Sequence, residues 1–222
     1  MIFLSDALGS PLRAARRFVR DKSGVALTEF AFSLPILMIM MTGGVELASY
    51  VTAIKRSGNL AMVVADNASR MGTRSATLNL RRISEAEIND VLIGASMESG
   101  IPDIRQNGKI VLTSLQRNAD GGQWIAWQRC FGENVKRSDF GRQGDGATGT
   151  SFPGLGPANA RIQAPAGTAV MVVEIFYNYD PLVPIDANLP TAIKEVAVFN
   201  VRESRDLNMP TNAEGVAIAT CT

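Results

Sequence analysis

Residues 23–54, SGVALTEFAFSLPILMIMMTGGVELASYVTAI, decide how the rest of this sequence is read. From Phe30 to Val45 the stretch carries no charge, and its apolar character runs past Glu46 to about Ile54. A helix needs roughly 20 mostly apolar residues to cross a bilayer, so residues 25–54 are predicted to be a membrane-spanning helix. Five basic residues, Arg13, Arg16, Arg17, Arg20 and Lys22, lie upstream against Asp6 and Asp21. Excess Lys and Arg beside a span marks its cytoplasmic side. The expected organisation is a cytoplasmic basic leader over 1–24, the span over 25–54 and an exported domain over 55–222.

Two rival readings fit less well. A cleavable signal peptide has a shorter apolar region followed by a small-x-small site. Ala48-Ser49-Tyr50 matches that poorly, and Glu46 lies just before it. The core helix of a soluble protein leaves the basic leader unexplained. Within the span, Pro35 removes a backbone hydrogen bond and is expected to kink or loosen the helix. Gly43 and Gly44 leave a flat spot where another helix can come close.

Composition narrows the function classes. The chain has 22 basic and 21 acidic residues, so no global field argues for nucleic acid. It has no histidine, which removes the commonest general base and the usual zinc nitrogen ligand. Its two cysteines, Cys130 and Cys221, are not at metal-ligand spacing. In an exported protein they are expected to form a disulfide that ties the C-terminal tail to the sheet. An intermolecular bond or two free thiols are the alternatives. No cofactor is expected, and no nucleophile motif points to an enzyme.

One charge sits near the start of the span. Gly24 is followed by Val25-Ala26-Leu27-Thr28, then Glu29 and Phe30, with the basic leader before and the apolar helix after. This resembles the processing site of type IV-like prepilins, in the Gly-x-x-x-x-Glu-aromatic form of tight-adherence (Tad/Flp) pilus proteins. The resemblance to TadE/TadF-like minor pseudopilins continues through residues 24–72, with Glu29, Pro35, a Gly43–Glu46 turn and the Ala-rich continuation Ala61 to Ala68. It returns at EIFYNYDPL, residues 174–182. The resemblance implies that a membrane prepilin peptidase cuts the Gly24–Val25 bond. It also implies that Glu29, the fifth residue of the trimmed chain, is an assembly charge. A buried carboxylate is costly unless paired, and the new Val25 amine, of the same chain or a neighbour, would pair it. Such a pair would set subunit register. The implied partners are the peptidase, other pilins and pseudopilins, the inner-membrane Tad assembly platform and the lipid bilayer. The implied location is the bacterial inner membrane, single-pass, with the C-terminal domain periplasmic or carried into a surface pilus.

The fold class expected for the whole is α+β: a long N-terminal helix continuing into a pilin-like domain with an antiparallel sheet of about four strands. The helix is expected to reach about Arg74, with Leu60, Val63, Val64, Asn67 and Met71 as its inner stripe, and to weaken at Ser57-Gly58-Asn59. Ser84 and Glu87 have capping-box spacing at the head of a second helix with Ile88, Val91 and Leu92 inward, ending at Gly94 or Gly100. Strands are expected over 109–117, 123–130, 168–179 and 193–203, with a hairpin turn at 119–122. Strand parity puts Trp124 and Trp127 on opposite faces. Residues 138–167, rich in Gly, Pro, Ala and Ser, read as a long mobile loop. Its GDGATG (residues 144–149) matches a dinucleotide pattern without the strand and helix that would give it meaning, and Asp139 and Asp145 read as solvated.

The expected function is a non-enzymatic minor pilin or pseudopilin. The alternatives are an unprocessed, membrane-anchored periplasmic scaffold or binding protein and, with least support, an anchored enzyme.

Overall fold

The computed structural model describes residues 19, 22–74, 80–183 and 191–221. Arg13, Arg16, Arg17 and Arg20, with Asp6 and Asp21, lie outside the described residues. Helix α1 spans Ser23–Arg70. The chain divides into two compact units, Met1–Ala48 and Ser49–Thr222.

In the first unit every residue from Gly24 to Met41 is exposed. A helix that is apolar all round needs an apolar surrounding, and this one is long and apolar enough to cross a membrane. It runs unbroken through Pro35 and through Gly43–Glu46, so the turn expected at the latter is helical.

The second unit is built on an antiparallel sheet in the order β4-β3-β5-β6. The strands are β3 (Gly108–Arg117), β4 (Gln123–Phe131), β5 (Val170–Asn178) and β6 (Ala192–Asn200). Two short strands, β1 (Thr73–Arg74) and β2 (Arg81–Arg82), form a separate ladder. Helix α2 (Glu85–Glu98) begins with the expected capping box: Glu87 N donates to Ser84 Oγ at 3.2 Å, and Ser84 N donates to Glu87 Oε2 at 3.0 Å. It passes through Gly94 and stops before Gly100, whose φ of 59° ends the helical path. A single turn, α3 (Ile104–Asn107), leads into β3.

One face of the sheet packs on α1 and α2. The α1 residues buried there are Leu60, Ala61, Val64, Ala65 and Ala68. Leu60, Val64 and Met71 are buried as expected, but Val63 and Asn67 are exposed, and alanines that let helix and sheet approach take their place. The helix does not weaken at Ser57-Gly58-Asn59. Ser57 is fully buried, and a Cβ at Gly58 would lie 3.7 Å from Glu195 Oε2 of β6. Packing outweighs the glycine penalty of about 1 kcal/mol. The helix ends at Arg70, short of Arg74, because Gly72 takes φ 115°.

The other face explains residues 138–167. β4 and β5 flank β3 on opposite sides, so the chain joining them must cross the sheet. The segment crosses on the face away from the helices. Phe140, Phe152, Leu155, Ile162 and Ala164 pack there against Leu115, Ile125, Val170 and Val172. It is a long irregular loop, as expected, and these apolar side chains anchor it on the sheet. Asp139 pairs with Lys194 at 2.6 Å, and Asp145 Oδ2 accepts from Arg142 N at 2.7 Å. Gly144 N donates to Ile125 O and Ile125 N to Asp145 O, each at 2.9 Å, so the GDGATG segment seals the edge of β4.

The tryptophans also depart from simple parity. Ser114 pairs Trp127 and Leu115 pairs Ile125, leaving Ala126 as the extra residue of a bulge. The bulge turns Trp124 to the same face as Trp127. Trp127 is fully buried, and Trp124 packs against the same cluster.

Candidate functional site

The candidate site is the start of α1. Gly24 and Val25 lie in its first turn, where Val25 N donates to Lys22 O at 3.2 Å. First turns are held by few intrahelical bonds and fray readily. Apart from its chain neighbours and its own helix backbone, no described residue lies within 4 Å of a Cβ placed on Gly24.

The hydroxyls in this segment satisfy themselves. Thr28 Oγ1 donates to Val25 O at 2.8 Å, Ser33 Oγ to Phe30 O at 3.0 Å and Thr42 Oγ1 to Met38 O at 2.8 Å. That is how a helix carries small polar residues among lipid tails. Glu29 differs: it is exposed, and its carboxylate has no partner among the described residues. It stands one turn beyond Val25 on the same helix face. Helical side chains lean toward the N-terminus, so Glu29 leans toward the bond expected to be cut. Phe30 follows at 57% exposure, as part of the apolar surface.

Further along, Gly43 and Gly44 also have open space where a Cβ would be. Glu46 is buried, 4% exposed, and engaged in an interaction within the chain. The residues singled out from the sequence thus fall into two groups on one helix, one near Val25 and one near Gly43.

In the second unit the cysteines are joined. Cys130 and Cys221 form a disulfide with an S–S distance of 2.07 Å, and Cys130 N donates to Ala219 O at 2.7 Å. The tail is thereby held along β4, as expected.

Four buried charged residues there, Glu85, Arg129, Glu174 and Arg205, escaped the sequence reading. Arg129 and Glu85 form a two-pronged ion pair with side chains 3% and 2% exposed, joining β4 to the head of α2. Glu174, on central strand β5, accepts from Ser138 Oγ and, at 3.1 Å, from Asp139 N, and lies 3.3 Å from Lys194 Nζ. Burial raises its pKa, against the opposing pull of these donors. Arg205 donates to the carbonyls of Ala68, Ser69 and Met71 at the end of α1. Burial pushes its pKa down to about 10. Only Glu85 had a local signal, its place in the first turn of a capped helix. The partners of the others are far away in sequence.

No family model matches the chain, and neither a curated protein nor a solved structure does.

Proposed function

We propose that the chain is a minor pilin-like component of a tight-adherence, type IV-like pilus or its assembly machine. It acts as a substrate and building block. A prepilin peptidase cuts after Gly24, and the chain then begins at Val25 with Glu29 as its fifth residue. The apolar helix sits in the bacterial inner membrane, the leader faces the cytoplasm, and the sheet domain lies in the periplasm. Other pilins and the inner-membrane platform are its partners.

The observation that carries this reading is the carboxylate of Glu29, unpartnered among the described residues. It sits five residues after a sterically open glycine, in a segment where the hydroxyls of Thr28, Ser33 and Thr42 donate back to the helix's own carbonyls. A carboxylate in lipid needs a cation, and cleavage creates one a single turn away. In the trimmed chain Glu29 also lies near the positive end of the helix dipole.

The test is the N-terminal residue of the protein purified from its native membranes, by intact mass and terminal sequencing. The expected chain starts at Val25, and Gly24→Leu blocks the trimming. A chain retaining residues 1–24 would overturn the proposal in favour of an unprocessed, membrane-anchored scaffold.

A further inference from the structure

The covered face of the sheet holds a cleft of about 400 Å³. Its floor comes from β3 and β4, one wall from the crossing segment and another from the disulfide-tied tail. That volume falls within the range of small-molecule sites, roughly 300–1,000 Å³.

The charge of the lining is one-sided. Lys109, Arg137 and Arg142 line the cleft, and among the described residues no carboxylate does. Lys109 is buried and already engaged. The guanidiniums of Arg137 and Arg142 are different. Both residues are exposed, and neither side chain has an ion pair or hydrogen bond among the described residues. The nearby acids are turned to other donors: Asp139 to Lys194, Glu174 to Ser138 and Lys194, and Asp145 to the Arg142 backbone. Gln143 is oriented as well. Its Oε1 accepts from Arg129 Nη1 at 3.0 Å and from Gln128 N at 3.1 Å, which leaves its NH₂ end to donate.

We propose that this cleft binds a small molecule bearing a phosphate or carboxylate group, clamped between Arg137 and Arg142. Two guanidinium forks suit the paired oxygens of such a group. The Cys130–Cys221 disulfide builds the site, because Thr220 and Cys221 form its wall only while the tail is tied down. The inference does not depend on trimming at Gly24.

The test is calorimetric titration of the full-length protein in detergent micelles, with inorganic phosphate and with citrate as probes. Saturable binding of one or both is expected, and the probe that binds names the group. Each of Arg137→Gln and Arg142→Gln should weaken binding about tenfold, the scale of a lost charge-assisted hydrogen bond. Arg117→Gln, an exposed arginine outside the cleft, should leave binding unchanged. Circular dichroism separates loss of binding from loss of fold. Absence of saturable binding by either probe, or equal weakening by Arg117→Gln, would overturn the site. Binding unchanged in Cys221→Ser would overturn the role of the disulfide wall.

Discussion

Arg205 reaches back 134 residues in sequence to donate to the Met71 carbonyl at 2.6 Å. With its bonds to Ala68 and Ser69, it closes the C-terminal end of α1 with a positive charge. That end carries unsatisfied carbonyls and the negative end of the helix dipole. Arg205→Ala should lower stability by about 3 kcal/mol, the scale of removing a buried, multiply bonded charge. Arg205→Lys keeps the charge without the fork and should fall between. Urea midpoints of the three proteins check the order.

The Arg129–Glu85 pair should behave as buried ion pairs do. Arg129→Met alone strands a buried carboxylate and should cost about 3–5 kcal/mol. Adding Glu85→Met removes the stranded charge and should recover much of that loss. A double-mutant cycle reads the coupling, and additive single effects would contradict it.

Glu174 makes stability depend on pH with a definite sign. Its folded pKa lies above its ordinary 4.5, mainly through burial. A carboxylate raised in this way favours the folded state while protonated, and that contribution is lost as pH rises through the folded value. Relative to Glu174→Gln, the wild type should therefore lose stability as pH climbs from 4.5. Denaturation of both proteins across that range checks it, and a difference that stays flat would contradict it.

The disulfide closes a loop of 91 residues. The chain-entropy model gives a stabilisation of about 4.5 kcal/mol for such a loop, as an upper guide. Cys221→Ser should lower the unfolding midpoint accordingly and free the amide of Cys130 to exchange with solvent. Hydrogen exchange at that amide checks the release of the tail.

Features with local causes were legible in the sequence. The capping box of α2 depends on Ser84 and Glu87 alone, and the four strands on short apolar runs. The spacing from Gly24 to Glu29 is equally local. The loop at 138–167 was legible, but its packing on the sheet was not, because that packing follows from β4 and β5 lying on opposite sides of β3. A compositional reading sees only its glycines and prolines. In the α1 stripe Leu60, Val64 and Met71 are buried as expected, while Ala61, Ala65 and Ala68 were missed because they carry little hydrophobic signal yet pack closely. The basic cleft was out of reach, since Lys109, Arg137, Arg142 and Cys221 come from separate segments that only the folded chain brings together.

The extra residue at Ala126 decides what tryptophan emission can report. With Trp124 and Trp127 both turned to the helix side, the chain's two indoles sense a single cluster. A fluorescence trace will follow the separation of α1 and α2 from the sheet. Detachment of the crossing segment on the opposite face, whose aromatics are Phe140 and Phe152, will pass almost unseen. Two optical probes that disagree would then mark a domain that opens one face at a time.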